Sequence, residues 1–180
     1  WHTDMSFFNI RATYSLLAGH AVPPSGADTE FTDMRDVWDA LPDSRKQGLE
    51  DLIVSHSFWH SRVLGGGPEP DAAELKKNPL AKHRMVHVHQ PSGRKALYLA
   101  SHANRIIDWP VPDARLFLGE LTEHATQRKF VYAHVWKLHD LVMWDNRVTM
   151  HRARRYDHTK VRDMRRTTLT NEVSSLEQAP

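Results

Sequence analysis

The segment that decides the fold is Leu141-Val142-Met143-Trp144-Asp145-Asn146-Arg147-Val148-Thr149-Met150-His151, which lies near the end of the 180-residue chain. Apolar and β-branched residues fill both of its ends, and Asp145 and Asn146 stand between them as typical turn residues. The pattern predicts a strand over 141–144, and residues 148–153 can pair as a further strand. His151 follows directly after the turn, and a supporting role for Asp145 and Asn146 beside it is a second interpretation of these two residues.

Strand patterns also fill the rest of both ends of the chain. Residues 1–22 predict one or two strands that end at the Pro23-Pro24-Ser25-Gly26 turn, and 84–99 predict a hairpin. Short strands are further predicted from Thr29 and over 129–136 and 165–170.

Helical spacing of apolar residues is found in the middle of the chain. One helix is predicted from Asp33, and another after Pro110 for about three turns. A further helix is predicted after Pro42, with Asp43 as its N-cap and an apolar face over 49–54. Residues 69–82 are polar, and we expect them to be mobile. Strands at the ends and helices in the middle favour a mainly β (α+β) fold with a barrel or double-sheet core and a helical insertion.

The domain organisation follows from length and composition. We expect residues 1–180 to form a single domain with a flexible tail over 171–180. The chain begins at Trp1 rather than at Met, and we expect an N-terminal segment to precede it.

Composition excludes several classes of function. The chain has no cysteine, which excludes disulfides, thiolate metal sites and cysteine nucleophiles. No apolar run approaches the roughly 18 residues that cross a bilayer, so we expect a cytoplasmic protein without membrane contact. The 24 Lys and Arg against 22 Asp and Glu leave a net charge of only +2, which argues against nucleic-acid binding.

A candidate metal site begins with His2 and Asp4. These residues are two apart, so both side chains point to the same face of an extended strand. One further neutral ligand from a distant strand would complete a 2-His-1-carboxylate triad, which binds Fe(II) and leaves coordination positions free. The chain has 13 histidines, however, so a His-x-Asp pair also arises by chance. His87-x-His89 is an alternative metal pair, and its simpler interpretation is two strand residues flanking Val88.

Basic residues are concentrated near the end of the chain. Arg162 and Arg166 follow His151 by 11 and 15 residues, and their spacing of four keeps both guanidinium groups on one face of a strand. Arginine binds carboxylates through paired hydrogen bonds and stays charged when partly buried, so two aligned arginines beside a metal suit small anionic ligands. The other arginines of this region are expected to be solvated or paired with acidic residues: Arg152, Arg154, Arg155 and Arg165.

The motifs resemble the taurine and 2,4-dichlorophenoxyacetate dioxygenase (TauD/TfdA) family of Fe(II)- and 2-oxoglutarate-dependent oxygenases. The resemblance runs through nearly the whole chain, and its longer strings are more similar to the aryloxyalkanoate-cleaving branch than to the taurine branch. It is carried by Trp1-His2-Thr3-Asp4, Gly26-Ala27-Asp28-Thr29-Glu30-Phe31, Gly93-Arg94-Lys95-Ala96-Leu97-Tyr98-Leu99, His124-Ala125-Thr126-Gln127 and the segment 141–151.

The resemblance implies a fold and a set of site residues. The fold is a double-stranded β-helix, which is a cupin-like jelly roll, and the chain would be the C-terminal part of such a dioxygenase domain. The implied cofactor is Fe(II), with 2-oxoglutarate as co-substrate and dioxygen as oxidant, and ascorbate is an optional reductant. By the family pattern, the Fe(II) ligands are His2, Asp4 and His151, the residues for the distal carboxylate of 2-oxoglutarate are Thr29 and Arg162, and the residue for the acid group of the substrate is Arg166.

The resemblance also implies an activity. Oxidative decarboxylation of 2-oxoglutarate to succinate and carbon dioxide would be coupled to hydroxylation of a small carboxylate. With 2,4-dichlorophenoxyacetate, hydroxylation beside the ether oxygen would release a phenol and glyoxylate. A taurine or alkylsulfonate dioxygenase and a non-catalytic anion-binding jelly-roll fragment are the alternatives. The implied partner is a small anionic molecule, and the sequence leaves a homo-oligomer open.

Overall fold

The structure is a computed structural model that describes residues 1–170 together with residues 174 and 176. Most of the predicted tail over 171–180 therefore lies outside the described residues. Within 1–170 the strands are β1 (Ala12–Ala21), β2 (Thr29–Asp33), β3 (Ile53–His56), β4 (Ala81–Arg84), β5 (Val86–His89), β6 (Arg94–Leu97), β7 (Ala103–Ile106), β8 (Val131–His134), β9 (Leu141–Asp145), β10 (Thr149–Ala153) and β11 (Asp163–Thr170). The helices are α1 (Met34–Asp39), α2 (Asp43–Lys46), α3 (Phe58–Leu64), α4 (Ala72–Lys77) and α5 (Val111–Ala125), and a 3-10 turn covers Arg128–Phe130.

The strands of residues 1–170 form four antiparallel sheets. Their orders are β11-β1-β9, β10-β2-β8, β4-β3-β7 and β5-β6. The first two sheets meet through aromatic rings, since the ring of Phe31 on β2 lies 5.4 Å from that of Trp144 on β9. The described residues contain no closed barrel. The predicted mainly β fold with helices in the middle of the chain is confirmed at this level.

The turn before β2 requires glycine. Gly26 has a φ of +71°, and a Cβ atom there would lie 2.8 Å from the Arg155 carbonyl oxygen. Only glycine avoids both the steric clash and the backbone strain. The close approach allows the Ala27 amide to donate to the Arg155 carbonyl at 3.3 Å, which starts the pairing of β2 with β10.

The hydrophobic core lies beneath the helical insertion. Buried apolar residues of α1 and α5 pack against the β5–β6 hairpin and the strand β3. The fully or almost fully buried members include Met34, Val37, Val54, Leu97 and Leu121. None of the helices in residues 1–170 is both long and apolar enough to cross a bilayer.

The prediction for the helix after Pro42 is wrong. The helix after Pro42 ends at Lys46 and has Pro42 rather than Asp43 as its N-cap, and Ile53 and Val54 belong to β3 instead. Both are β-branched residues, which favour strands when a neighbouring strand is available. The polar stretch 69–82 includes α4, whose first turn is closed by reciprocal hydrogen bonds between Asp71 and Glu74 at 2.8 and 2.9 Å.

Helix α5 offers a test of where the core lies. Leu121 is buried, whereas Leu116 on the same helix is 68% exposed. We expect Leu121→Ala to lower the free energy of unfolding by about 2 to 5 kcal/mol, because it leaves a cavity, and Leu116→Ala to change it by less than about 0.5 kcal/mol. Urea unfolding of both variants measures this difference, and equal losses would show that α5 does not pack as described.

Candidate metal centre

His2 and His151 are brought together by their own backbones. The amide of His2 donates to the His151 carbonyl at 2.9 Å, and the amide of His151 donates to the His2 carbonyl at 2.8 Å. Such a reciprocal pair places two Cα atoms about 5.5 Å apart with both side chains on one face of the sheet. The two imidazole rings accordingly have centroids 4.1 Å apart.

Asp4 completes a three-residue cluster at the first turn after this bridge. Its Oδ1 atom lies 3.5 Å from His2 Nε2 and 3.8 Å from His151 Nε2. One ligand atom from each of the three residues lies within 4.8 Å of the others, and they form the one such group of three in the described part of the chain. Asp4 and His151 are buried, whereas the His2 side chain is 36% exposed, so the group is open on the His2 side.

The protonation states of the cluster suit a cation. Burial lowers the pKa of His151 to about 3, with a further contribution from His2, so the ring is neutral at pH 7. Burial alone would raise the pKa of Asp4, but the polar contact with His2, the Ser15 hydrogen bond and the charge of Arg166 hold this pKa below its usual range. The site therefore offers the neutral imidazole of His151 and an ionised carboxylate, which are forms that bind metals.

The donor set passes a test of fit for a divalent metal. His151 Nδ1 is buried and has no hydrogen-bond partner among the described residues, so the ring is not fixed by a protein acceptor on that side. Two imidazole nitrogens and one carboxylate oxygen match the ligand set of a facial triad with open positions. His2, Asp4 and His151 are thus able to hold Fe(II) or a similar divalent ion.

Two buried side chains that the sequence patterns did not connect with Asp4 contact it directly. Ser15 Oγ on β1 donates to Asp4 Oδ2 at 2.7 Å, and Asn146 Oδ1 accepts from the Asp4 amide at 3.3 Å. The sequence interpretation placed Asn146 beside His151, but its hydrogen bonds run to Asp4, Ser15 and Trp144. Contacts across 131 residues of sequence leave no local signal, so spacing could not have predicted them.

Thr29 lies on the same face of its sheet as His151. Phe31 pairs directly with His151 across β2 and β10, and Thr29 is two residues along the same strand. Residues two apart on a strand share a face, so the Thr29 hydroxyl and the His151 ring point into the same space. Thr29 is buried, and its Oγ1 accepts a hydrogen bond from Trp136 Nε1 at 2.9 Å. Its hydroxyl proton remains available for a further acceptor.

Arg162 lies at the same end of β2 as Thr29. Its guanidinium carbon is 5.7 Å from the centroid of the Tyr156 ring, and Tyr156 lies against Gly26 just ahead of β2. Its Nε atom is buried without a hydrogen-bond partner among the described residues. Arg166 lies within β11, but Arg162 precedes this strand. The prediction that one strand holds both arginines is therefore wrong for Arg162.

Arg166 contacts the cluster itself. Its Nη1 atom donates to Asp4 Oδ1 at 2.7 Å, while the side chain stays 52% exposed. The residue lies on β11 opposite Leu17 of β1, on the same face as Ser15 and Thr168. An arginine at this position has a partly solvated guanidinium with further donors that can bind an anion.

The other arginines of this region have structural partners. Arg152 Nε donates to Glu30 at 2.7 Å, Arg154 lies 3.8 Å from the same carboxylate, and Arg165 lies 3.7 Å from Asp163. Glu30 is buried, so Arg152 and Arg154 compensate a negative charge that would otherwise be costly to bury. The expectation of ion pairs is confirmed for these three arginines.

The alternative metal pair His87-x-His89 is not part of a ligand group in the described residues. His87 is largely buried, and burial lowers its pKa to about 3. His89 Nε2 instead makes a hydrogen bond to Asp145 at 3.0 Å, and His89 Nδ1 makes one to Ser92 at 2.7 Å. The simpler interpretation of two strand residues describes them better.

Apolar rings form the wall behind His151. The Trp144 ring centroid lies 4.8 Å from that of His151, and the Phe31 centroid lies 6.0 Å away. On their far side these two residues line a cleft of about 560 Å³, to which none of the three clustered residues contributes. The wall shields His151 from water on one side and leaves the His2 side for small molecules.

Comparisons with known proteins place this geometry among oxygenases. Residues 1–168 match the family described as "Taurine catabolism dioxygenase TauD, TfdA family". The chain is 47% identical over 168 residues to the alpha-ketoglutarate-dependent 2,4-dichlorophenoxyacetate dioxygenase of Burkholderia sp. (strain RASC), which covers 93% of this chain and 57% of the relative. It is 46% identical to the enzyme of the same name from Cupriavidus pinatubonensis over 96% of this chain and 60% of that relative.

Solved structures agree with these relatives. AAD-2 in complex with Mn(II) and N-oxalylglycine superposes with a TM-score of 0.94 at 50% identity, covering 97% of this chain and 69% of that one. A taurine dioxygenase from Burkholderia xenovorans gives a TM-score of 0.83 at 27% identity, covering 97% and 57%. The chain thus spans 57% to 60% of the length of the two 2,4-dichlorophenoxyacetate dioxygenases.

Replacing His151 tests the cluster as a metal site. We expect His151→Ala to weaken Mn(II) binding at least about 100-fold, because the site loses one of three ligands. Calorimetric titration of the purified protein with Mn(II) in place of oxidisable Fe(II) measures the affinity. The control is His20→Ala, which removes an exposed histidine outside the cluster and should leave the affinity unchanged. Equal affinities for wild type and His151→Ala would exclude this metal centre.

Proposed function

The chain belongs to the TauD/TfdA family of dioxygenases, and from this premise we propose that it carries the metal centre of an Fe(II)- and 2-oxoglutarate-dependent dioxygenase acting on aryloxyalkanoates. The single observation behind the proposal is the convergence of His2, Asp4 and His151, with Arg166 in direct contact with Asp4. The chain spans only part of its relatives, so the activity is proposed for the protein to which it belongs.

The proposed fold is a double-stranded β-helix. Two antiparallel sheets, β11-β1-β9 and β10-β2-β8, face each other across the cluster, and their strands alternate in sequence between the two sheets from β8 to β11. Facing sheets built this way are typical of jelly rolls. The isolated bridge between His2 and β10 extends the second sheet by one further partner.

Fe(II) bound by the triad would supply the activation of dioxygen, with 2-oxoglutarate as the source of two electrons, and ascorbate could keep the metal reduced. The residues of this chain supply position and polarity. His2, Asp4 and His151 would bind the ion from one side only, so that the co-substrate and dioxygen can bind on the other. Phe31 and Trp144 keep water away from the His151 side.

Arg162 and Thr29 are the proposed partners of the distal carboxylate of 2-oxoglutarate. A buried guanidinium Nε without a partner among the described residues favours an anion as its ligand, because an unsatisfied buried charge is costly. Thr29 can donate its hydroxyl proton to the same carboxylate while it accepts from Trp136. Together they would fix the co-substrate at a set distance from the metal.

Arg166 is the proposed partner of the substrate acid group. Its contact with Asp4 keeps the guanidinium next to the metal ligands, and its exposed part can form paired hydrogen bonds to a carboxylate. The carbon next to an acid group held there would lie near the metal, so hydroxylation of a C–H bond beside an ether oxygen would cleave an aryloxyacetate to a phenol and glyoxylate. Positioning of this kind is the main contribution that a protein makes in cofactor chemistry.

A sulfonate such as taurine is the second candidate substrate, because a guanidinium also binds sulfonates. The identity of 46% to 47% with two 2,4-dichlorophenoxyacetate dioxygenases, against 27% with a taurine dioxygenase, favours the carboxylate. A non-catalytic anion-binding role is disfavoured by the intact set of two imidazoles and one carboxylate.

The substrate class can be tested by product formation. With Fe(II), 2-oxoglutarate and oxygen, we expect 2,4-dichlorophenoxyacetate to stimulate succinate release and to yield a phenol, and taurine to have a much smaller effect. Arg166→Ala should raise the KM for the aryloxyacetate about 10- to 100-fold, because a charge-assisted hydrogen bond is lost. Succinate and phenol assays measure both quantities. A greater stimulation by taurine would contradict the proposed substrate.

The co-substrate site has its own readout, independent of turnover. Anaerobic addition of Fe(II) and 2-oxoglutarate should give a weak visible charge-transfer band. Arg162→Ala should raise the 2-oxoglutarate concentration needed for half of this band about 10- to 100-fold. Arg165→Ala removes a nearby arginine that pairs with Asp163 and should leave the titration unchanged. If Arg162→Ala titrates like the wild type, Arg162 does not hold the co-substrate.

A further inference from the structure

We propose that Ser15 and Asn146 are positioning residues that fix the Asp4 carboxylate with Oδ1 directed toward the two histidines of the metal site. The inference rests on the proposed metal centre and concerns residues that do not touch the metal themselves. Both are completely buried, although each carries a polar side chain. Buried polar side chains of this kind are stable only when their hydrogen bonds are satisfied, so their partners indicate what they do.

The hydrogen bonds form a closed ring that begins and ends at Asp4. The Asp4 amide donates to Asn146 Oδ1 at 3.3 Å, Asn146 Nδ2 donates to Ser15 Oγ at 2.8 Å, and Ser15 Oγ donates to Asp4 Oδ2 at 2.7 Å. The ring thus ties the backbone of the ligand residue to one oxygen of its own side chain. A carboxylate held at both points has little freedom to rotate about its χ angles.

The direction of each hydrogen bond in the ring is determined. Asn146 Oδ1 also accepts from Trp144 Nε1 at 3.0 Å, so the amide oxygen faces two N–H donors. If the Asn146 amide were flipped, its NH2 group would face the Asp4 and Trp144 N–H donors. The NH2 group therefore points toward Ser15. Ser15 has a single proton, and the ionised Asp4 can only accept, so this proton is directed to Oδ2.

The third side-chain contact of Ser15 agrees with this assignment. Its hydroxyl oxygen lies 3.3 Å from Thr168 Oγ1 on β11. Because the Ser15 proton is directed to Asp4, Thr168 is the donor in this weaker contact. Ser15 then uses its proton and both of its lone pairs, and β1 holds it between β9 and β11.

The consequence for the metal centre is selective use of the two carboxylate oxygens. Each oxygen accepts one hydrogen bond, Oδ2 from Ser15 and Oδ1 from Arg166, both at 2.7 Å. The difference is one of direction, because Oδ1 is the oxygen that lies beside His2 Nε2 and His151 Nε2, at 3.5 and 3.8 Å. A carboxylate that binds a metal through this one oxygen takes one coordination position instead of two, which leaves one more for other ligands. Asn146 also fixes the Trp144 indole, whose ring contacts the His151 ring at 4.8 Å, so one amide orients the surroundings of two ligands.

The test compares two buried serines. Ser15→Ala removes the donor to Asp4 Oδ2, and we expect the Mn(II) affinity measured by calorimetry to fall about 10- to 100-fold, as is usual when the partner of a ligand is lost. Ser55→Ala is the matched control, because Ser55 is also buried and donates to an asparagine, Asn104 Oδ1 at 2.7 Å, in the separate β4-β3-β7 sheet. It should leave the Mn(II) affinity unchanged. The electron paramagnetic resonance spectrum of bound Mn(II) should change only in Ser15→Ala.

A second variant covers the case in which Ser15→Ala does not fold. Ser15→Cys fills a similar volume with a weaker donor, so its Mn(II) affinity should lie between those of wild type and Ser15→Ala, or below wild type where the alanine variant is insoluble. Wild-type affinity and an unchanged spectrum in both Ser15 variants would overturn the positioning role while leaving the metal centre intact. Equal losses in Ser15→Ala and Ser55→Ala would overturn it as well. Failure of the wild type to bind Mn(II) would instead overturn the metal centre and, with it, this role.

Discussion

The reciprocal backbone hydrogen bonds between His2 and His151 are the constraint on which the candidate site depends. They join residues 149 positions apart in sequence, and closing a loop of that length costs conformational entropy that two hydrogen bonds do not repay. The bridge is therefore held by other pairings. β10 pairs with β2 over five residue pairs, and β1 pairs with both β9 and β11, so that these strands are fixed in two facing sheets. The imidazoles are close because the backbones are.

A second constraint is the buried negative charge of Asp4. An isolated carboxylate in this position would be strongly destabilising, because burial removes its hydration. The structure compensates it on both oxygens, with Ser15 on Oδ2 and Arg166 on Oδ1. The two compensations differ in kind. Ser15 is neutral, buried and fixed by the sheet, whereas Arg166 is half exposed and charged, so it can exchange part of its contact with Asp4 for a second anion. Ser15 thus stabilises the buried Asp4 carboxylate, whereas Arg166 would also bind the anionic substrate.

Local features of the fold could be predicted from the sequence, and long-range features could not. The 86–97 hairpin, strand β2 and helix α5 follow from alternation, a glycine turn and helical spacing, all within a few residues. Ile53 and Val54 were assigned to a helix because an apolar run fits both periods, and only the pairing with β4 and β7 decides for a strand. The spacing of two residues predicts that His2 and Asp4 share a face, whereas only motif resemblance joins His151 to them. Ser15 and Asn146 could not be predicted, since the hydrogen bond that joins them connects residues 131 positions apart in sequence.

Strand alternation explains how the paired strands β2 and β10 can carry both residues of the candidate site and a structural ion pair. On β2 the residues Thr29 and Phe31 face the metal cluster, while Glu30 between them faces the other way and pairs with Arg152 of β10. The facing strand follows the same rule, since His151 is directed to the cluster and its neighbour Arg152 is directed to Glu30. A register slip of one residue would exchange the two faces, placing a carboxylate and an arginine where Phe31 and His151 now stand. The salt bridge between buried Glu30 and Arg152 therefore opposes such a slip, because either residue would lose its counter-charge. In this way an ion pair outside the site helps to keep His151 opposite Phe31 and on the face of the cluster.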